Sequence, residues 1–310
     1  MENSQFIQHR ARDDFNRARS KATITQLLSA LTPERQRLLA LEDVRNLLKP
    51  HSETYKGMQA VPIDKIVGSE GRYKDFTSAF LPKREFIRGR WESVDRAHIS
   101  DVILPPIKLY EIGGVYFVRD GNHRVSVARM QGTEMIDAEV IELDTEISLE
   151  PGITNEELKR RVIEYEKRQV FDETGLSRVI PEDEIMFTEP GRYIELLRHI
   201  KGHKYFLNQD REEEIPFIEA ASSWYRNLYR PIIRIIREEN ILTRFPGRTH
   251  SDLYMWVVKH WDELKKKYGN DFSLKTATLD FSEKYGTSIK QQIKNFLLSL
   301  LKSLLPRKRA

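Results

Sequence analysis

The 310-residue sequence contains no cysteine. That excludes disulfides, cysteine-ligated zinc, iron–sulfur clusters and a thiol nucleophile, and it suits a reducing cytoplasm, where the protein is expected. No stretch approaches the ~18 uncharged apolar residues that cross a bilayer. The opening residues, Met1 to Asp14, lack the apolar core of a secretory signal, so neither export nor a membrane span is expected. Acidic residues are missing from 284–310, which carry seven basic side chains. Residues 1–50 hold nine basic and six acidic, leaving 35 basic against 41 acidic in 51–283, although the whole chain is +4. The excess positive charge therefore belongs to the two ends, and global charge does not argue that the body coats nucleic acid.

Hydrophobic spacing divides the chain into four segments. Residues 1–50 read as a helical arm, with Leu27, Leu28 and Leu31 followed by Leu38, Leu39, Leu41, Val44, Leu47 and Leu48 at helical spacing. Thr32-Pro33 is expected to start its second helix and Pro50 to end it. Residues 51–150 turn to short β-rich runs, with strands expected at Val61–Val67, Ile107–Ile112, Val115–Val118 and Ala138–Leu143. Gly113-Gly114 joins the second and third as a hairpin, and a helix near Val125 stops at Gly132. Residues 151–190 open on a capping-box-like Thr154-Asn155-Glu156-Glu157 and run into a loop. Residues 191–310 read as helices over 191–207, 215–239, 251–268, 273–285 and 288–305. A faint repeat at an offset of 61 (Tyr193/Tyr254, His199/His260, Trp224/Tyr285) suggests two similar helical hairpins.

The densest chemical signal is the run from Val115 to Arg129, in which a strand leads through Asp120-Gly121-Asn122-His123-Arg124 into a helix. Such a junction aims free backbone N–H groups and the positive end of the helix dipole at one place, which suits a phosphate. Arg124 adds a bidentate donor, His123 a titratable donor, and Asp120 a carboxylate able to orient them or help hold a cation. Gly121 lets the chain turn and a ligand approach. The same residue types also make an ordinary structural turn, with Asp120 as helix N-cap and Arg124 as a salt-bridge partner.

Asp120-Gly121-Asn122-His123-Arg124, followed by Ser126-Val127-Ala128, resembles the signature of the ParB/sulfiredoxin-like superfamily, whose members carry G-E-R-R, G-G-C-H-R or D-G-H-H-R at this turn. Val61-Pro62-Ile63-Asp64-Lys65-Ile66 resembles the opening strand of that domain, and the resemblance covers about 58–145. It implies an α+β fold, a mixed-sheet nucleotide-binding domain between a helical arm and an all-α C-terminal domain. It also implies that nucleoside triphosphate, ATP or CTP, binds at this turn with Mg²⁺, while no metal site built by the protein alone is expected. Sulfiredoxin chemistry is excluded, since Asn122 stands where that family has its cysteine. Asn122-His123 also departs from the Glu-Arg of ParB, and D-G-H-H-R of the free-serine kinases is the nearest match. On this reading Ser69, Arg72, Gly121, Asn122, His123, Arg124 and Ser126 bind nucleotide. Glu70, Asp120 and His123 are the catalytic candidates, Glu70 as general base with Asp75 second.

Between the first strand and Pro106 lies an insertion, 68–100, in which Arg72, Lys74, Lys83, Arg84, Arg88, Arg90 and Arg96 interleave with Tyr73, Phe76, Phe80, Phe86 and Trp91. Such a mixture could stack on a base and hold phosphates, or form an aromatic mini-core with a solvated basic rim.

In the helical half, Arg244 to Trp256 resembles a motif of uncharacterised bacterial helical domains and reads as a Pro-Gly turn into a helix capped near Thr249 or Ser251. His199 and His203 have the spacing of a helical metal pair but lack the glutamate of the zinc proteases, and packing is expected of them. Tyr285-Gly286-Thr287-Ser288 could join the helices of a helix-turn-helix. The apolar stripe Ile289, Ile293, Phe296, Leu297, Leu300, Leu301 and Leu304 could dock on the protein's own core, a membrane surface or a second copy.

Three functional classes follow. One is an NTPase or small-molecule kinase working at the phosphate turn; another is a ParB-like DNA-binding regulator or nuclease-type protein reading DNA through its basic C-terminal helices, with a homodimer formed there. The third is a scaffold that keeps the fold without a ligand.

Overall fold

The computed structural model describes residues 2–28, 38–209, 211–269 and 273–287. It divides into two compact units, Met1–Val162 and Ile163–Ala310, and the fold is α+β, with a mixed sheet in the first unit and helices in the second.

The first unit is built on a six-stranded sheet in the order β1-β3-β5-β4-β6-β2. Its strands are β1 (Leu39–Ala40), β2 (Glu53–Pro62), β3 (Ile66–Ser69), β4 (Ile107–Ile112), β5 (Val115–Asp120) and β6 (Met135–Leu143). β4 and β5 form the expected hairpin, Ile112 facing Val115. Gly113 and Gly114 have φ of 61° and 92°, the double left-handed turn that matches strand twist. β6 lies parallel to β4, and β3 parallel to β5. Ile107, Leu109, Val118, Ala138 and Val140 face one buried core, and Phe117, on the opposite face of β5, is buried as well.

Two expectations are corrected, and one strand was not expected at all. Val61–Val67 is not one strand: β2 ends at Pro62, Ile63–Lys65 is a 3₁₀ turn, and β3 begins at Ile66. Proline cannot donate to a ladder and favours that break. β2 itself runs ten residues along the sheet edge against β6 with most of its residues exposed, so it has no apolar face to mark it in sequence. Leu38–Ala40 is not helical either, because Leu39 and Ala40 extend the sheet beside Gly68 and Ser69; the helix that follows, α2, is Leu41–Leu48. Thr32 and Pro33 lie outside the described residues.

α1 (Glu2–Leu28) presents Ala11, Phe15, Ala18 and Ala22, all buried, as one stripe. Phe15 meets Trp91 edge-on at 5.5 Å. Trp91 lies on α3 (Arg88–Ile99), the helix that the insertion forms. Phe76, Phe80 and Trp91 are buried in the core of this unit while Phe86 is 74% exposed. The insertion is thus an aromatic mini-core with a basic rim. α4 (Asn122–Met130) starts three residues earlier than expected, one residue after β5 ends.

α5 (Asn155–Thr174) carries the boundary between the units and opens on the expected capping box, Glu157 N–H donating to Thr154 Oγ1 at 3.2 Å and Thr154 N–H to Glu157 Oε2 at 2.9 Å. The second unit continues with α6 (Arg192–Asn208), α7 (Phe217–Trp224), α8 (Arg230–Glu238), α9 (His250–Tyr268) and α10 (Leu274–Tyr285). The expected single helix over 215–239 is interrupted by a π-helical turn, Tyr225–Tyr229, ahead of Pro231. Proline has no N–H to complete the i−4 ladder, so the turn widens there. Trp224, Tyr229 and Tyr254 pack ring against ring in this core. Trp224 closes α7 and Tyr285 closes α10, matching positions of the faint repeat.

Candidate functional site

β5 passes into α4 through Gly121 alone, with φ 110° and ψ 20°. A Cβ there would stand 2.4 Å from Ile107 Cγ2, so backbone angle and space both require glycine. Gly121, the N-cap residue, has no side chain with which to cap α4. Asp120, the helix cap of the purely structural alternative, does not cap α4; it accepts from Arg124 Nη2 at 2.6 Å, the salt bridge that the same alternative expected. The N–H groups of the first turn therefore remain open toward the cleft beside them.

That cleft has a volume of about 190 Å³ and is lined by Arg72, Arg90, Val94 and the continuous run Asp120, Gly121, Asn122, His123 and Arg124. Arg72 comes from the segment after β3, and its Nη1 reaches His123 Nε2 at 3.2 Å and lies 4.0 Å from Asp75 Oδ2. Arg90, in the first turn of α3, is exposed and makes no ion pair with any described residue. Burial, and then the charges of Arg72 and Arg90, hold the His123 imidazolium in disfavour and lower its pKa from 6.5 to about 4. The edge of Phe76 packs on the ring at 5.7 Å. Asn122 is 7% exposed, and its Oδ1 has no hydrogen-bond partner among the described residues, an arrangement that costs free energy until something donates to it.

Arg124 is committed to the fold. Its Nη1 donates to Pro105 O and, at 2.9 Å, to Pro106 O, while Nη2 holds Asp120. The guanidinium ties the β5–α4 junction to the start of β4, leaving two of its five N–H donors for a ligand.

Of the nucleotide-binding residues expected from sequence, Arg72, Gly121, Asn122, His123 and Arg124 meet in the cleft, and Asp120 lines it too. Ser69 and Ser126 do not. Ser69 is fully buried, donating to Val118 O at 3.2 Å and accepting from Arg72 N–H at 3.3 Å. Ser126 donates to Phe80 O at 2.6 Å and accepts from Trp91 Nε1 at 2.8 Å in the core. Glu70 is exposed at the end of β3, its N–H bonded to Val118 O, and does not line the cleft. Sequence reasoning had Arg90 only as one of the seven basic residues of the insertion that could hold phosphates, and did not name Val94. Their spacing of four on α3 puts them on one helix face, but only the packing of α3 on α4 turns that face to the cleft.

In the second unit the paired histidines diverge, His199 Nδ1 contacting Tyr254 Oη at 3.4 Å and His203 Nε2 contacting Ser223 Oγ at 3.0 Å. No group of three His, Asp or Glu side chains suited to a metal occurs among the described residues. The Arg244 to Trp256 motif forms the expected turn and cap: Thr249 is the N-cap of α9 in a full capping box with Asp252. Residues 288–310, with the C-terminal apolar stripe and the second helix of the suggested helix-turn-helix, lie outside the described residues. No described helix is long and apolar enough to cross a membrane.

No family model matches the chain, and no curated protein matches it. Among solved structures, that of a pNOB8-like ParB N-domain overlays 84% of this chain and 94% of its own at 11% identity and a TM-score of 0.22. A C2221 form of a Pnob8-like ParB N-domain overlays 83% of this chain and all of its own at the same identity and score. At a TM-score of 0.22 neither overlay bears on what the cleft does.

Proposed function

We propose that the first unit is a ParB-like nucleotide-binding domain that holds the phosphates of a nucleoside triphosphate, ATP or CTP, at the start of α4. The observation that carries this reading is the first turn of α4, uncapped by Gly121, opening into a cleft lined by Arg72, Arg90 and Arg124, of which Arg90 has no ion-pair partner among the described residues. Helix N–H groups and guanidinium donors together form an anion site, and Arg72 and Arg90 would take the outer phosphates. Asp120 is the one carboxylate among the described residues that line the cleft. Mg²⁺ would therefore ride on the phosphates, as it does where the protein supplies one or two carboxylates. Hydrolysis or phosphoryl transfer to a small hydroxyl compound is the finer form of the proposal, with Asp120, which lines the cleft, preferred to Glu70, which does not, as the candidate base.

Calorimetric titration with ATP, CTP, GTP and ADP in the presence of Mg²⁺ tests the reading. Arg90→Ala is the informative variant, because Arg90 is exposed and outside the junction that Arg124 holds. Binding of one triphosphate, weakened in Arg90→Ala, supports the proposal; no binding of any of the four sinks it. Release of inorganic phosphate, or its transfer to serine, then separates an enzyme from a binding domain. A second reading, DNA binding, is favoured by the seven basic and no acidic residues of 284–310. It predicts affinity for duplex DNA that falls steeply with salt and is lost on removing that segment.

A further inference from the structure

Arginine cannot accept a hydrogen bond, so the 3.2 Å contact between Arg72 Nη1 and His123 Nε2 fixes the state of the imidazole. Nε2 must carry the lone pair, and in the neutral ring the proton sits on Nδ1. A protonated His123 would set N–H against N–H and cation against cation. Nδ1 is buried with no partner, which makes Arg72 the ring's one hydrogen-bond partner among the described residues.

We infer that His123 is a positioning residue that parks Arg72 at the mouth of the cleft, and that a phosphate group entering the cleft draws Arg72 off it, so that anion binding is coupled to uptake of a proton at His123 Nε2. The inference rests on the anion-binding reading given above. Arg72 is the group free to move: it is exposed and otherwise only 4.0 Å from Asp75, whereas Arg124 is tied to Pro105, Pro106 and Asp120. The charged groups around the ring are Arg72 and Asp75 from the segment after β3, Arg90 on α3, Asp120 at the end of β5 and Arg124 on α4. Two of these cations, with burial, keep the free ring unprotonated. A phosphate dianion beside Arg72 and Arg90 reverses that charge balance, and the departure of Arg72 frees the Nε2 lone pair for a proton taken from solvent. On this account His123 does not act as a general base while Arg72 occupies it.

The free protein tests the first half. Nitrogen-15 NMR of the His123 ring should show the Nδ1–H form with Nε2 unprotonated; an Nε2–H form overturns the inference whatever the protein binds. The second half is read by calorimetry with inorganic pyrophosphate at about pH 6 in two buffers of different ionisation enthalpy, for the parent and for His123→Gln. Glutamine keeps an oxygen acceptor for Arg72 but does not titrate, and protons taken up by pyrophosphate itself are common to both chains. The parent should take up more protons than the variant, and its affinity should gain up to about tenfold more per unit fall in pH. Equal proton counts in two chains that both bind overturn the coupling and leave the anion site standing. Failure of pyrophosphate to bind the parent sinks both. If His123→Gln does not fold, Arg72→Gln serves: its free His123 should titrate above that of the parent, and an unchanged titration overturns the inference.

Discussion

Two helices of this protein begin just after a glycine-containing turn and end up chemically opposite. α9 starts at Thr249, whose Oγ1 accepts from Asp252 N–H at 3.1 Å while Asp252 Oδ2 accepts from Thr249 N–H at 2.9 Å. Asp252 is 1% exposed and also accepts from Thr188 N–H and Thr188 Oγ1; Arg248 Nη1 donates to Thr188 Oγ1 at 2.8 Å and to Glu189 at 2.9 Å. Its polar groups are spent inside the fold. α4 starts at Gly121, which has no side chain to cap it, with a buried Asn122 oxygen that has no partner among the described residues and with Arg72 and Arg90 across a cleft. A closed N-terminus builds the protein, whereas an open one that the surrounding structure keeps positive is where a ligand can add interactions instead of replacing them.

The contrast predicts where stability and binding separate. The largest effect belongs to the closed end: Asp252→Ala leaves three donors without an acceptor and should cost about 3 kcal/mol, read as a lower denaturant midpoint. A loss under about 1 kcal/mol would mean that water replaces the carboxylate and that α9 is not closed in the sense argued. Gly121→Ala comes next, forcing a side chain to φ 110° and against Ile107. About 2 kcal/mol of destabilisation is expected from the strain and overpacking; a neutral result would show that the junction relaxes and does not fix the cleft.

Arg90→Ala should do the reverse of Asp252→Ala. Its side chain is exposed and unpaired among the described residues, so stability should change by no more than about 0.5 kcal/mol. Phosphate affinity should fall about tenfold through the lost charged hydrogen bond. A variant that binds triphosphate as tightly as the parent would remove α3 from the site and leave α4 with Arg72 alone.

What could be seen in advance follows the same physical division. β4, β5 and β6 were legible because buried apolar residues mark them, and their hairpin because two glycines meet the demand of the turn. β2 was not, since a strand exposed along most of its length carries no alternation to detect, and the α1 stripe was missed because three of its four buried residues are alanine. At the site, the residues contiguous in sequence from Asp120 to Arg124 stay together in space, so the run itself was the signal. Ser69 and Ser126 were misplaced because a short hydroxyl serves a ligand or the core equally well until the inward face is known. Arg90 and Val94 enter from another helix, and that docking depends on Trp91, Phe80 and Ser126 meeting in the core, which no local pattern encodes.

The smallest expected effect is on pH dependence and singles out the open end. The native His123 ring binds a proton near pH 4, whereas the unfolded ring does so near its ordinary 6.5. As pH falls through that window the unfolded chain takes up the proton first, so the native state loses stability from about 6.5 downward and the loss is complete below about 4. His123→Gln removes this contribution and should flatten the parent's curve of stability against pH. Part of the slope will persist, because burial also lowers the pKa of His199, His203 and His250. Saturating phosphate should flatten the parent more than the Gln variant, since an anion that raises the native pKa of His123 narrows the gap to the unfolded value, while the titration of phosphate itself is common to both chains. Equal flattening in both chains would place the titrating group elsewhere and leave the open end of α4 without its proton-linked histidine.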